Sequence, residues 1–319
     1  MRSTNFLSVV NSLQDPAIIC LMGATATGKT ELAVEIAKRF PVELISVDSA
    51  LIYRGMNIGT AKPNAQTLEL APHFLIDIID PLEKYSAWNF VTDSRLLIEQ
   101  ICQRGHIPLL VGGSMMYYHA LEQGLNKLPE ADEEIRARLD AEAKAIGWEA
   151  MHQRLAEIDI ETANRIKPGD SQRIQRALEV FEISGQPLSV LQSKKSSGYQ
   201  GSMLKILLQA EDRALLHQRI EKRFHAMLEQ GFIAEVGALK ARGDLDLSMP
   251  SMRCVGYRQA WQYLDNKLGR DEMINTAIAA TRQLAKRQIT WLRKQPQKNA
   301  FDCLNYNKDA IFNLLNKSF

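Results

Sequence analysis

The sequence predicts an α/β protein in which helices cover both faces of a parallel sheet, with an all-helical insertion in the middle of the chain. Apolar segments alternate with helical patterns over residues 16–123, which is typical of a parallel sheet. The pattern at 124–202 is helical only, and a strand-like segment at 203–209 then returns to the sheet. We therefore expect a core made of residues 16–123 and 203–319 around the insertion.

Short apolar segments and longer amphipathic patterns follow one another in the first part of the core. The apolar segments have the length of buried strands, and the amphipathic patterns have the length of helices. Strands are predicted at 17–22, 42–47, 74–79 and 107–111, and helices at 31–40 and 86–104.

Capping residues delimit the predicted helices of the insertion. Asp132 and Asp170 are typical N-cap residues, and Gly185 is a typical residue after a helix end. The stretch 193–198, rich in serine and lysine, is predicted to be an exposed loop. The helices are expected at 132–145, 148–158 and 171–184.

Composition is that of an ordinary globular protein, with 45% hydrophobic and 24% charged residues among 319. No apolar stretch approaches the roughly 18 residues that a membrane span needs, so no membrane partner is expected. Residues 1–16 make a poor secretory signal and are interpreted as a frayed leader. Cys20, Cys102, Cys254 and Cys303 lack ligand spacing, so we expect reduced thiols in a cytoplasmic protein. No apolar heptad suggests an oligomer, and a monomer is expected.

Charge is distributed unevenly along the chain, although its net value is only +2. Residues 1–202 carry 20 lysines and arginines against 25 acidic residues, whereas residues 203–319 carry 19 against 12. A basic C-terminal part suggests a polyanionic partner, but solvated helix faces would produce the same bias.

A glycine loop between the first predicted strand and helix fits the pattern G-x-x-x-x-G-K-[ST] in full. Its backbone N–H groups and the following helix N-terminus are suited to phosphate oxygens. Lys29 adds a charge, and the Thr30 hydroxyl is a candidate Mg²⁺ ligand. The predicted diphosphate-binding residues are Gly23, Ala24, Thr25, Ala26, Thr27, Gly28, Lys29 and Thr30.

The acid that an ATPase or kinase places at the end of a buried strand is missing here. The strand at 107–111 ends in Gly112, Gly113 and Ser114 instead. The nearest acid at a strand end is Asp48, and the carboxyl ends of parallel strands converge on one crevice. An acid beside a bound diphosphate suits a reaction in which diphosphate leaves and the acid takes a proton. A helix cap, or an indirect role at Mg²⁺, remains an alternative for Asp48.

Taken together, seven segments resemble the bacterial tRNA dimethylallyltransferases, whose fold is related to that of P-loop NTPases. They keep the family's order over most of residues 17–293 and are GATATGKT (23–30), ELISVDSALIYRGMNIGTAKP (43–63), PLLVGGSMMYYHALEQGL (108–125), DSQRIQRALEVFEISG (170–185), HQRIEKRFHAMLEQGF (217–232), RCVGYRQAW (253–261) and TRQLAKRQITWLR (281–293).

The resemblance implies a reaction and a set of catalytic residues. The expected reaction moves a dimethylallyl group from dimethylallyl diphosphate to the exocyclic N6 amine of the adenosine on the 3′ side of a tRNA anticodon, with Mg²⁺. Asp48 would accept the amine proton, and Ser114 stands where the family usually has threonine. Arg223, with Lys29 and Thr30, would neutralise the departing diphosphate, and Arg219 is a further candidate.

The resemblance also implies a tRNA-binding surface that includes the insertion. Arg282, Lys286 and Arg293 lie at helical spacing on nearly one face, which a solvated surface helix would also show. Tyr257 either stacks on a base or packs internally. The expected tRNA-binding residues are Ser49, Ala50, Leu51, Asp170, Ser171, Gln172, Arg173, Ile174, Arg253, Cys254, Val255, Gly256, Tyr257, Arg258, Arg282, Lys286, Arg287, Gln288 and Arg293.

Two other classes of function remain possible from the residues alone. A small-molecule kinase would need an acid for Mg²⁺ after a buried strand. An RNA-binding module without catalysis would be expected to have lost Lys29 or Asp48, and both are present.

Overall fold

The structure is a computed structural model that describes residues 16–126, 128–193 and 197–318. A six-stranded parallel sheet lies at the centre of the larger part of these residues. Most of the expected leader and part of the loop expected at 193–198 lie outside these residues. The strand order is β3-β2-β4-β1-β5-β6, and every pairing is parallel. The sheet prediction is confirmed.

The elements follow one another in a strand–helix alternation that a helical segment interrupts. The strands are β1 (Ile18–Gly23), β2 (Val42–Val47), β3 (His73–Phe74), β4 (Ile107–Gly112), β5 (Met203–Gln209) and β6 (Ala300–Asp302). The helices are α1 (Lys29–Ala37), α2 (Ala65–Leu70), α3 (Ala87–Gln103), α4 (Met115–Gln123), α5 (Glu133–Ile146), α6 (Trp148–Ile158), α7 (Ile160–Arg165), α8 (Ser171–Ser184), α9 (Leu188–Ser193), α10 (Arg213–Glu229), α11 (Phe232–Ala241), α12 (Tyr257–Leu264), α13 (Arg270–Leu292) and α14 (Lys308–Ser318).

The third strand is much shorter than the predicted strand 74–79. Leu75 and Asp77 have positive φ angles of 63° and 55°, which an extended strand does not permit. Ile78 and Ile79 instead donate backbone hydrogen bonds to the Ile52 carbonyl. The strand predicted at 74–79 is therefore wrong after Phe74, because residues 75–79 form an irregular loop. The three-residue strand β6 was not predicted, since it has no apolar run of its own.

One face of the sheet packs against α1, and the other face is buried as well, with Cys20, Ile45 and Leu110 fully buried. Alternate residues of the central strands, including Leu21, Leu44 and Leu109, pack against Leu32 and Ile36 of α1. In the sheet, β4 lies between β2 and β1. The loops that follow these three strands are therefore neighbours at the carboxyl edge.

The described residues divide into two compact units, one of which resumes after an interruption. The larger unit consists of two chain segments, the first ending at Ala120 and the second beginning at Gln200. The smaller unit is Leu121–Tyr199. The boundaries predicted from the sequence, 124 and 202, each lie three residues later in the chain. The larger unit contains a second apolar cluster, in which α10–α13 pack around Phe232, Tyr257 and Met273.

The smaller unit is entirely helical and has its own core, which includes Leu139, Leu155 and Leu178. Asp132 and Asp170 cap α5 and α8 as expected, accepting from two backbone N–H groups of the first turn and from one, respectively. Among the described residues, no helix is long and apolar enough to cross a membrane.

Candidate active site

The phosphate loop turns sharply between β1 and α1. Gly28 has a φ of 83°, a conformation that residues with a side chain rarely adopt, and it immediately precedes α1. The loop is closed by two hydrogen bonds to the Ala24 carbonyl, from Thr27 Oγ1 at 2.8 Å and from Lys29 Nζ at 2.6 Å. The local pattern therefore forms the tight turn that the glycine motif predicts, and its binding of diphosphate stays a prediction.

A glutamine from the far end of the chain joins the phosphate loop to the turn after β4. Gln288 Oε1 accepts from the Thr25 backbone N–H at 2.8 Å, and Gln288 Nε2 donates to the Gly113 carbonyl at 2.9 Å. Both polar ends of the side chain are used inside the larger unit. Its side chain therefore positions two loops, and its expected contact with tRNA stays a prediction.

The turn Gly112–Ser114 holds the loop that carries Asp48. A Cβ atom on Gly112 would lie 2.0 Å from the Val47 carbonyl oxygen, so only glycine allows the two strands to end this close together. The Ser114 backbone N–H donates to Val47 O at 3.1 Å, and its Oγ accepts from the Ser49 N–H at 3.1 Å. Serine thus supplies the hydroxyl by which this turn holds the neighbouring loop.

Asp48 lines the same cleft as Lys29 and Arg223 and interacts electrostatically with both cations. One of its oxygens accepts from the Ala50 N–H at 2.8 Å, which fixes the side chain at the strand end. Burial lowers the pKa of Lys29 to about 8, and burial also lowers the pKa of Arg223; the charge of Asp48 opposes both shifts. Arg223 Nη2 donates to Thr25 Oγ1. The two partly buried cations and the Asp48 carboxylate are therefore electrostatically coupled.

A cleft of about 980 Å³ brings together the loops after β1, β2 and β4 and parts of α10 and α13. We expected these three loops to share a site, and all three line the same cleft. The predicted residues that line the cleft are Thr25, Ala26, Thr27, Gly28, Lys29, Thr30, Asp48, Ser49, Ala50, Leu51, Ser114, Arg219, Arg223, Arg253, Cys254, Val255, Gly256, Tyr257, Arg287 and Gln288.

Several predicted residues lie elsewhere. Gly23 and Ala24 lie behind the cleft and are buried. Arg258, Lys286 and Arg293 are exposed without lining the cleft. Arg282 is also outside the lining and forms an ion pair with Glu221 at 2.8 Å. Asp170, Ser171, Gln172 and Arg173 belong to the helical unit, where Gln172 and Arg173 are exposed.

Two expected RNA contacts are corrected by burial. Ile174 is completely buried in the core of the helical unit, so its side chain packs and presents no surface to RNA. Tyr257 is also completely buried; it packs edge-on against Phe232 and donates its hydroxyl proton to Glu235 at 2.6 Å. Of the two readings of Tyr257, the structure supports internal packing.

Sequence reasoning missed a carboxylate that shapes the edge of the cleft. Glu235 accepts from the backbone N–H groups of Asn57, Ile58 and Gly59 at 2.7–3.1 Å, in addition to the Tyr257 hydroxyl. This anchors the segment 57–63, part of which lines the cleft. No local spacing marks Glu235, because its partners lie about 177 residues earlier in the chain.

Aromatic and polar residues around the opening were missed as well. His73, Thr281 and Trp291 line the cleft, and Trp291 packs edge-on against His119 with Lys294 over its ring. Thr281 and Trp291 fall within a segment that carried the resemblance, so a finer reading of its helical faces would have found them.

The chain matches two family models. The model described as IPP transferase covers residues 51–295, and one described as isopentenyl transferase covers residues 16–78. Among similar curated proteins, the tRNA dimethylallyltransferase of Paraburkholderia phymatum is 55% identical over 90% of this chain and 92% of its own. The protein of the same name from Cupriavidus taiwanensis is 54% identical over 91% and 92%.

Solved structures give the same picture. The tRNA isopentenylpyrophosphate transferase of Bacillus halodurans has a TM-score of 0.67 and 36% identity, covering 94% of each chain. A eukaryotic dimethylallyltransferase described as acting on tRNA has a TM-score of 0.75 at 25% identity, covering 90% of this chain and 74% of its own.

Proposed function

The chain belongs to the IPP transferase family, and we propose that it transfers a dimethylallyl group from dimethylallyl diphosphate to the N6 amine of the adenosine on the 3′ side of a tRNA anticodon. The observation that carries the proposal is the cleft itself, which Asp48 lines together with Lys29, Arg223 and the phosphate loop. A carboxylate that shares a cleft with two partly buried cations suits a substitution that releases diphosphate and a proton.

The phosphate loop and its cations bind and then stabilise the leaving group. As the allylic C–O bond breaks, negative charge grows on the diphosphate oxygens. The backbone N–H groups of the loop, Lys29 and Arg223 are already in place to meet that charge, so little reorganisation is needed. Arg219, which also lines the cleft, adds positive charge at its edge.

Asp48 takes the proton that the amine loses as the C–N bond forms. Its carboxylate is held by the Ala50 N–H, and the loop around it is held by Ser114. A positioned base of this kind removes the positive charge that develops on the attacking nitrogen. Ser114 acts through this loop and supplies the hydroxyl that the family usually takes from threonine.

Mg²⁺ fits the oxygen donors of this site. Mg²⁺ is commonly bound by one or two protein oxygens together with substrate phosphates and water. Thr30 presents an exposed hydroxyl at the first turn of α1 and lines the cleft. The described residues contain no group of three or more His, Cys, Asp or Glu that could hold a metal by themselves. Thr30 would hold the ion, which would neutralise charge on diphosphate.

Exposed cations near the cleft are proposed to bind the tRNA backbone. Arg253 and Arg287 line the opening, and Lys286 and Arg293 are exposed on or next to α13. An adenine in a folded anticodon loop must leave its stack to reach Asp48, which single-stranded loops permit. Exposed Gln172 and Arg173 of the helical unit are proposed as further contacts.

The decisive experiment is a transfer assay. Unmodified tRNA with adenosine after the anticodon is incubated with the protein, Mg²⁺ and dimethylallyl diphosphate, digested and measured by mass spectrometry. We expect one dimethylallyl group on adenosine, dependent on the donor. ATP consumption without such a product would identify a kinase instead. In the same assay, Lys286→Glu with Arg293→Glu should raise the KM for tRNA and reduce its salt dependence.

A further inference from the structure

One buried serine of the cleft has a hydroxyl without a hydrogen-bond partner among the described residues. Ser46, in β2, is 2% exposed, and its Oγ forms no hydrogen bond with any of the described residues. The residue nevertheless lines the active-site cleft. A buried hydroxyl without a partner is unfavourable, so such a group requires an explanation, for which a bound water or ion is one candidate.

The alternation of β2 shows where this hydroxyl lies. Leu44 packs in the core on the side of α1, and Ser46 two residues later shares that face. In the register of the sheet, Ser46 is opposite Val111 of β4, which also packs on the α1 side. The hydroxyl therefore lies above the apolar core, on the side where Lys29 and Thr30 begin α1.

The neighbouring strand offers no acid at this place. Val111 is apolar, and the turn that follows it begins with two glycines. Enzymes with a phosphate loop commonly place an acid at the end of such a strand to hold Mg²⁺. Ser46 is the polar group that β2 supplies beside that position.

We propose that Ser46 forms part of the Mg²⁺ site, its hydroxyl bonding to a water in the shell of the cation that accompanies diphosphate. The inference rests on the proposed diphosphate site. Mg²⁺ gives up water reluctantly and keeps several waters when bound, so a hydroxyl near the ion, rather than on it, has a ready partner. Groups that hold such outer waters commonly change metal affinity by about tenfold or more.

The test uses Ser46→Ala in the full chain and inorganic pyrophosphate as the titrant, with and without Mg²⁺. Calorimetry should show affinity about tenfold weaker than that of the parent protein in Mg²⁺ and unchanged without it. Mn²⁺ binding in the presence of pyrophosphate, followed by electron paramagnetic resonance, should weaken in parallel. The melting temperature of the ligand-free variant should be equal or higher, because an unpartnered hydroxyl has been removed.

Ser94→Ala is the matched control. Ser94, in α3, is also fully buried without a hydrogen-bond partner among the described residues, but it does not line the cleft. It should show the same behaviour on heating and no change in binding.

Two results would overturn the assignment: equal pyrophosphate affinity of Ser46→Ala and parent in Mg²⁺, or an equal loss with and without Mg²⁺, which would place the hydroxyl on diphosphate. Serine-dependent binding in a protein that fails the transfer assay would leave this site intact and reject the proposed reaction alone.

Discussion

Buried charged side chains have different kinds of partner in the two units of this protein. In the helical unit, the carboxylate of Glu179 is fully buried, and Arg136, Arg176 and the Asp132 N–H all donate to it at 2.6–3.2 Å. In the cleft of the larger unit, Lys29 and Arg223 form no salt bridge within 4 Å with the described residues. Their donors reach a carbonyl and a hydroxyl instead.

The pKa values follow this difference. Burial alone would raise the pKa of Glu179, but its arginine partners outweigh burial and lower it. Burial lowers the pKa of both Lys29 and Arg223, against the opposing field of Asp48. A buried charge with complete partners indicates a structural role, whereas buried cations without anionic partners indicate a site for a bound anion.

The largest effect is expected at Asp48, the carboxylate whose charge opposes the pKa shifts of both cations. Asp48→Asn keeps the hydrogen-bond acceptor for Ala50 but removes the base, so kcat for prenyl transfer should fall by about 10³-fold. Pyrophosphate affinity should be retained or increased, because a negative charge has been removed. Glu31→Gln, which lines the same cleft, is the control and should keep most of the turnover. Near-normal turnover of Asp48→Asn would remove Asp48 as the base.

Arg223→Gln tests whether a buried cation in the cleft serves function at the expense of stability. The variant should lower kcat/KM by about 10²-fold, because one donor to the leaving diphosphate is lost. Its melting temperature should stay the same or rise, since burial disfavours the guanidinium in the ligand-free protein. A clear loss of stability would show that Arg223 is structural, and the contrast between the two units would fail.

Arg136→Ala makes the complementary test in the helical unit. Glu179 would keep Arg176 but lose its bidentate partner, so the free energy of unfolding of this unit should fall by about 2 kcal/mol. Hydrogen exchange over residues 121–199, as a function of urea, measures the change. Arg173→Ala removes an exposed ion pair and is the control with almost no expected effect. Pyrophosphate affinity should not change in either variant.

The smallest effect is a proton taken up by Lys29. Its pKa of about 8 means that the ligand-free ammonium is partly deprotonated at pH 8.5, and bound diphosphate should restore its charge. Calorimetry in buffers of different ionisation enthalpy should show more proton uptake by the parent than by Lys29→Gln. Equal uptake would assign the proton to the ligand.

The lowered pKa of Lys29 also predicts how the stability of the ligand-free protein changes with pH. The unfolded chain binds the Lys29 proton up to a pKa of about 10.5, so between pH 8 and that value it holds more protons than the folded chain. The contribution of this group to ligand-free stability should therefore rise with pH in that window, and Lys29→Gln should lack the rise.

Short-range patterns in the sequence were sufficient for the fold class and for the loops that line the cleft. The phosphate loop, the helix caps at Asp132 and Asp170 and the position of Asp48 at a strand end depend on residues a few positions apart. Backbone conformation and side-chain spacing decide them locally, so they can be read before the chain is folded. The adjacency of the loops after β1, β2 and β4 followed from the geometry of parallel sheets.

Tertiary structure alone decided which side chains meet from distant parts of the chain. Gln288 holds a loop 263 residues earlier, Glu235 anchors the turn at 57–59, and Tyr257 packs where stacking on RNA was equally compatible with the sequence. The position of the Ser46 hydroxyl follows only from the sheet register, in which Val111 of β4 lies opposite Ser46. Burial and hydrogen-bond satisfaction are properties of the assembled chain, because they depend on what every other segment leaves exposed or unpaired.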